Sequence, residues 1–268
     1  MRHFHPLSIA ILRININHTP TFSPPLFIMA NVKVQIAPYP SRSDETAVIQ
    51  TICFANTPLT RYWSPTPAAD VDIQSADQIH PDRLRRASRD HAFREIEPGN
   101  FVLYAIADGV VAGFAIWGVP KPLWRSETLW EVLYRNSVAY KNKIEDWLYP
   151  AWWIIPERYK QFKKAQMDCF EKFTGDVDNI WYLKVLCVHP NYQRKGIGTV
   201  LVNWGLDRAR ARGQKVYLEA SEFGKGLYRR LGFEEVGTLE IEDGEFRLEI
   251  PCMLWDPATA PKQAPQVG

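Results

Sequence analysis

The sequence is poor in the residues that mark a metal centre, a disulfide scaffold or a membrane anchor. Cysteine occurs four times, at Cys53, Cys169, Cys187 and Cys252. These positions lie far apart without metal-ligand spacing, so neither a zinc site nor a disulfide framework is expected. A reducing compartment is the simpler setting. Histidine occurs six times and also lacks ligand spacing; His3 and His5 are neighbours only near the start. Net charge is +2 over 268 residues, too balanced to point to nucleic acid or an anionic membrane surface. No apolar run reaches transmembrane length, and no internal repeat is present. The expectation is a protein without a metal, without a nucleic-acid or membrane partner, and cytoplasmic. The nucleus stays open as an alternative, as does the mitochondrion if the first residues are a transit peptide. Oligomeric state is not readable.

Apolar residues are not scarce. They make up 46% of the chain and include ten tryptophans, enough for a sizeable core. The two ends differ from the middle. Residues 1–29 hold Arg2 and Arg13, no acidic residue, and the prolines Pro20, Pro24 and Pro25. That composition suits a disordered extension. It is also compatible with a transit peptide, or with a true start at Met29. Residues 257–268 form a Pro-rich tail with no core pattern. One domain is expected over 30–256.

Within it, Val32, Val34 and Ile36 alternate with polar residues and read as a strand. Ser43 or Asp44 can cap a helix running to about Phe54. Thr57 to Pro67 reads as loop. Pro81 opens a second helix whose arginines, interleaved with Asp82, Asp90 and Glu95, read as a solvated face. The apolar runs Phe101–Ala107 and Val110–Trp117 flank Asp108-Gly109, a hairpin signal. A tryptophan-rich segment follows, about residues 120–178, with helices over Leu129–Tyr140 and from Pro156. Most of its aromatics are expected in the core. On the Pro156 helix, Tyr159, Phe162, Gln166, Cys169, Phe170 and Phe173 share a side, and Lys160, Lys163 and Lys164 another.

The most informative stretch is Trp181 to Arg212. An apolar strand ends at Val188, where His189-Pro190-Asn191 stops it. Gln193-Arg194-Lys195-Gly196-Ile197-Gly198 comes next, and then a helix with Ile197, Val200, Leu201, Trp204 and Leu206 at helical spacing. Gly213 stands where a left-handed helix end is common. A strand, a glycine turn and a helix N-terminus make an anion site, because the first helical N–H groups lack partners and the dipole favours negative charge. The letters fit neither a Walker loop nor a dinucleotide fingerprint, where Leu201 occupies the third glycine position. Farther on come a strand over Lys215–Ala220, a helix from about Gly224, and two strands, Val236–Ile241 and Phe246–Leu254, with a turn at Asp243-Gly244.

The stretch Gln193 to Gly198 does resemble the Q/R-x-x-G-x-G/A pyrophosphate loop of the GNAT superfamily of N-acetyltransferases. Leu227-Tyr228-Arg229-Arg230-Leu231-Gly232-Phe233 resembles that superfamily's L-Y-x-x-x-G-F segment, at the expected distance. The order strand, helix, helix, hairpin that precedes them is also the superfamily's. The resemblance covers roughly Val32 to Trp255. It implies an α/β (α+β) GNAT fold: a mixed, mostly antiparallel central sheet flanked by helices. Here it would carry an enlarged helical insertion before the acetyl-CoA strand, in place of a short helix.

By that resemblance the cosubstrate is acetyl-CoA and the partner an unidentified amine acceptor, which attacks the thioester directly. Backbone groups of Leu186, Cys187 and Val188 would pair with the pantetheine arm. Gln193 and the N–H groups of Arg194, Lys195, Gly196, Ile197, Gly198 and Thr199 would hold the pyrophosphate. Tyr228 would protonate the leaving thiolate. The family often has Asn seven residues before this tyrosine; here Ser221 takes that place and can still hydrogen-bond the cofactor. Cys187 reads as a small buried hydrophobe rather than a nucleophile. The general base is not readable; Glu219, Asp178 and Asp176 are the carboxylates nearby in the chain. A CoA-binding sensor or scaffold without turnover is the alternative function.

Overall fold

The computed structural model describes residues 32–37, 41–55, 57–64, 73, 75–244 and 246–260. The expectations for residues 1–29 and most of the tail therefore lie outside the described residues.

Fourteen elements follow in order, β1 (Val32–Ile36), α1 (Ser43–Phe54), α2 (Pro58–Trp63), α3 (Pro81–Ile96), β2 (Asn100–Ala107), β3 (Val110–Gly118), α4 (Leu129–Leu148), α5 (Pro156–Thr174), β4 (Trp181–Val188), α6 (Ile197–Arg210), β5 (Val216–Glu219), α7 (Glu222–Arg230), β6 (Glu234–Asp243) and β7 (Phe246–Trp255), besides short 3₁₀ turns. The strands form one sheet in the order β1-β2-β3-β4-β5-β7-β6. Every neighbouring pair is antiparallel except β4 and β5, which run parallel. A mostly antiparallel mixed sheet with helices on both faces is what the sequence implies.

Alternation along the strands sorts the core into two layers. On one face, Trp117, Leu183, Leu218, Met253 and Trp255 pack with Ile197, Leu201 and Trp204 of α6 and Tyr228 of α7. Trp117 is the thickest piece of that layer. It fits because Gly205 faces it: a Cβ there would stand 2.4 Å from the indole. On the other face α1 covers Tyr104, Phe114, Ile116 and Cys187, while Tyr62 of α2 and Phe162 of α5 cover Tyr217, Leu239, Ile241 and Cys252. Gly237 of β6 plays the part of Gly205 for this layer, with the Phe173 ring 2.1 Å from where a Cβ would be.

Several local expectations are corrected. Residues from Thr57 are not all loop: Thr57 Oγ1 accepts the Thr60 N–H at 3.2 Å, Pro58 takes the first helical position, and α2 forms. Neither Ser43 nor Asp44 caps α1; the Ser41 hydroxyl accepts the Ser43 N–H at 3.1 Å, ahead of the helix. Helix α4 runs on to Leu148 rather than stopping at Tyr140. Helix α7 begins two residues before Gly224 because Ser221 caps it. The α3 arginines do more than meet water. Arg86 pairs with Asp146 at 2.9 Å, and Arg89 with Glu145 at 2.9 Å and with Asp146, so they hold the end of α4. The insertion's tryptophans are mostly not core. Trp130 and Trp147 are 77% and 80% exposed, and of Trp124, Trp130, Trp147, Trp152 and Trp153 only Trp153 is buried.

Candidate active site

The strand order puts a parallel pair in the middle of an antiparallel sheet, and that pair soon parts. Strands β4 and β5 are in register only at Trp181↔Val216 and Tyr182↔Tyr217. Beyond Tyr182, β4 stays with β3 while β5 stays with β7. A bulge assists the divergence. Leu183 and Val185 pair with the consecutive residues Trp117 and Ile116, leaving Lys184 as the extra residue. The edge of β4 facing β5 therefore has no strand partner past Tyr182 among the described residues.

At the open end of this fork lies the glycine turn. Pro190–Tyr192 makes one 3₁₀ turn, and the Gln193 amide donates back to the Val188 carbonyl at 3.0 Å. Arg194 and Gly196 take positive φ, 62° and 83°, and left-handed residues in a turn are what gathers successive N–H groups into an anion-binding concavity. Gly196 sits at the N-cap of α6 in the left-handed conformation, and the first helical bond is from the Val200 N–H to its carbonyl at 3.1 Å. None of the N–H groups from Arg194 to Thr199 has a protein acceptor among the described residues. Such a run of uncommitted donors, at a helix N-terminus, is the structural condition for holding a phosphate. Gly198 faces Leu227 of α7 and Leu186 of β4, at 3.3 and 3.9 Å from its would-be Cβ. Lys195 donates to the Asn191 carbonyl at 3.0 Å and lies over the Tyr192 ring.

On the α6/α7 face of the fork stands Tyr228, 7% exposed, its ring packed edge-on against Phe233 at 5.6 Å. Burial, with a smaller push from Cys187, raises its phenol well above the ordinary range, so it stays protonated. Gly224 makes room for it, with the ring 2.9 Å from a would-be Cβ. The Ser221 hydroxyl accepts the Gly224 N–H at 3.2 Å, which leaves its own proton to donate elsewhere. Cys187 is fully enclosed; burial, then the neighbouring Cys53, pushes its thiol far up, the condition of an inert thiol.

The opposite face carries Glu219. Its neighbours Leu218 and Ala220 belong to the Tyr228 layer, so alternation turns Glu219 toward α5. The Tyr182 hydroxyl donates to its Oε2 at 2.5 Å and the Gln166 amide at 3.3 Å, while Oε1 is buried without a partner. Burial raises this carboxyl above the usual range. The other two carboxylates have surface duties. Asp176 accepts the Asp178 N–H at 3.2 Å, and Asp178 pairs with Lys121 at 2.8 Å. The fork thus brings Leu186, Val188, the Gln193–Thr199 turn, Ser221 and Tyr228 to one face, and Glu219 to the other.

Comparison with known proteins identifies the family. The sequence model described as Acetyltransferase (GNAT) family matches residues 62–233. The chain belongs to that family.

Among GNAT structures, arylalkylamine N-acetyltransferase 2 of Aedes aegypti superposes with a TM-score of 0.50 at 18% identity, covering 85% of this chain and 99% of that one. This is a likeness of fold. Among curated relatives, an acetyltransferase of Stachybotrys chartarum is 36% identical over 64 residues, 22% of this chain and 28% of its own. An L-methionine sulfoximine/L-methionine sulfone acetyltransferase of Pseudomonas aeruginosa is 39% identical over 74 residues, 26% of this chain and 40% of its own. The chain therefore aligns with less than half the length of either. Among the described residues no helix is long and apolar enough to cross a membrane, and no group of His, Cys, Asp and Glu could hold a metal ion.

Sequence reasoning missed Tyr182 and Gln166 as partners of Glu219. Both are in principle readable: Tyr182 has the opposite parity from Trp181 and Leu183 on β4, and Gln166 shares a side of α5 with Phe162 and Phe170. What could not be read is that β4 and β5 pair only at Trp181↔Val216 and Tyr182↔Tyr217.

Proposed function

We propose that the chain transfers an acetyl group from acetyl-CoA to an amine, by direct attack across the fork between β4 and β5. The observation that carries this reading is the parting of those strands between an uncommitted N–H run and a buried carboxylate. The pyrophosphate would lie against the N–H groups of Arg194, Lys195, Gly196, Ile197, Gly198 and Thr199, with Gln193 setting the turn. The pantetheine arm would follow the free edge of β4 at Leu186, Cys187 and Val188, as an added strand would. Ser221 has a hydroxyl proton left for the same ligand.

Two proton transfers must be served. An amine of pKa near 10 reaches the site mostly as ammonium and attacks only when neutral. Glu219 is the base, directly or through a water: its carboxyl is raised toward the working pH, which favours proton transfer in both directions. As the amine nitrogen bonds to the carbonyl carbon, the carbon–sulfur bond breaks. The sulfur then takes a proton from Tyr228, whose burial keeps the phenol protonated until that moment, and the proton that the nitrogen sheds on becoming an amide restores the phenol by way of water. Base and acid stand on opposite faces of the sheet, so acceptor and CoA would enter from opposite sides.

The test is release of free thiol from acetyl-CoA over an amine panel. Amine-dependent release supports the proposal. Tight acetyl-CoA binding by calorimetry without release for any amine would replace it by the sensor reading.

A further inference from the structure

The acceptor face of the fork collects positive charge from three separate elements: Arg94 in the last turn of α3, Lys163 of α5 and Lys184 at the β4 bulge. Hydrogen bonds tie Lys163 to Glu219 through Gln166, and Lys184 to the end of α3 through Asn100. Lys163 Nζ donates to Gln166 Oε1 at 2.7 Å, and the same Gln166 donates to Glu219 at 3.3 Å. Lys184 Nζ donates to Asn100 Oδ1 at 2.8 Å. Asn100 in turn donates to the Glu97 carboxylate at 2.6 Å and to the Arg94 carbonyl at 3.4 Å. Gly118 lets the Lys184 stem lie flat, with Cε 2.7 Å from a would-be Cβ.

This charge is neutralised only in part. The Arg94 guanidinium makes no hydrogen bond or ion pair among the described residues. Lys163 and Lys184 are each held by a neutral amide rather than a carboxylate. Among the described residues the carboxylates facing the group are two, Glu97, which accepts from Asn100 and acts on Lys184, and Glu219, which accepts from Tyr182 and Gln166 and acts on Lys163, so three cations face two carboxylates. Both lysines have water-accessible side chains, yet burial, and then the charge of Arg94 among others, depresses their ammonium groups. Cations in excess of the carboxylates around them are placed for an anion that the protein itself does not supply.

We propose that Arg94, Lys163 and Lys184 receive an anionic group of the acceptor, so that the substrate is an amine that carries a carboxylate. A guanidinium offers two parallel donors to a carboxylate, and the two ammonium groups close the sides. The same field has a second effect. It disfavours an ammonium ion and so favours the neutral amine, the form that attacks. A simple alkylamine meets that field as a net cation and is repelled; an amino acid enters with its charges balanced. The inference rests on the acetyl-transfer reading and refines its substrate class.

The experiment uses the full chain and acceptor pairs that differ only by a carboxylate: phenylalanine with phenethylamine, leucine with isoamylamine, β-alanine with ethylamine. kcat/KM is measured by thiol release at saturating acetyl-CoA. For at least one pair the carboxylated member is expected to be preferred tenfold or more. Arg94→Gln should reduce that preference about tenfold, the scale of one charge-assisted hydrogen bond, and Arg94→Lys should restore part of it. Lys163→Met serves as a second variant, with thermal melting to show that each folds. In parallel, calorimetry compares N-acetylphenylalanine with N-acetylphenethylamine on the CoA-loaded protein. Turnover with a preference at or below one in every pair overturns the anion site and leaves acetyl transfer standing. No turnover, but selective binding of the acetylated carboxylate that Arg94→Gln abolishes, upholds the anion site and overturns the transfer reading. Neither turnover nor selective binding overturns both.

Discussion

The Tyr182 hydroxyl donates to Glu219 at 2.5 Å, joining β4 to β5 one side chain beyond the point where their backbones stop pairing. The bond fixes the carboxylate at the mouth of the fork and leaves Oε1 buried with no partner. A buried acceptor without a partner is costly in a resting protein and useful in one that must take a proton. Four consequences are open to measurement.

Glu219→Gln keeps the shape and the Tyr182 contact but cannot accept a proton. With an identified acceptor, kcat should fall about 10²–10⁴-fold, the range for a general base. Because burial raises the wild-type carboxyl, activity should be lost on acidification at a higher pH than an ordinary glutamate would set, and the variant should lack that limb. A variant keeping a third of wild-type kcat, with chemistry rate-limiting, removes Glu219 from the mechanism.

Tyr228→Phe removes only the hydroxyl and keeps the ring against Phe233. The expected loss in kcat is again about 10²–10⁴-fold. Acetyl-CoA Kd and melting temperature should barely move, since the lost interaction belongs to the transition state. Equal losses in affinity and stability would mark the residue as packing.

Gly198→Asp places a carboxylate at the start of α6, among the uncommitted N–H groups. Repulsion with the pyrophosphate should abolish acetyl-CoA binding in a protein that still melts cooperatively. Helix starts tolerate aspartate, so the fold should survive. Near-normal affinity by calorimetry would displace the cofactor from this loop.

His91, 3% exposed between α1 and α3, makes a second pH-dependent prediction, this time about stability. Its ring nitrogens meet Thr46 Oγ1 at 2.8 Å and Gln50 Oε1 at 2.9 Å, and burial, then Arg94, lowers it from its usual 6.5 to about 3. The unfolded chain therefore binds a proton below pH 6.5 that the folded one refuses until about 3. Stability from this group is complete above the upper value and falls by about 1.4 kcal/mol per pH unit below it. In urea titrations His91→Gln should lose that increment of slope. An unchanged slope would mean that the folded histidine does protonate.

Much of this was legible beforehand, for reasons that differ by element. The glycine turn was readable because Gly196 must adopt a positive φ and the helix after it has a clear 3.6-residue period. The hairpin between β2 and β3 was readable because Asp108 and Gly109 both take positive φ, as a tight turn of that type demands. The acceptor face was not. Arg94, Lys163 and Lys184 lie on three elements, and each looks like an ordinary surface cation in its own segment. Lys163 falls on a different side of α5 from Gln166 in the sequence pattern, yet Gln166, one turn later, ties it to Glu219. Helix α4 misled in another way. Its aromatics promised a core, but helix α3 holds it through ion pairs and its apolar side chains face water. Local pattern sets elements; only their juxtaposition decides which charges meet.

The bulge at Lys184 bears on solubility as well as on catalysis. A strand left without a neighbour in the middle of a sheet is a hydrogen-bonding template, and any extended peptide can add to it. Between turnovers, Leu183 to Val188 would offer such a template. A bulge breaks the regular spacing that an intruding strand needs. The bulge thus works as a gatekeeper against a long strand from another copy of the chain, while the edge beyond it remains free for a short, non-repeating guest.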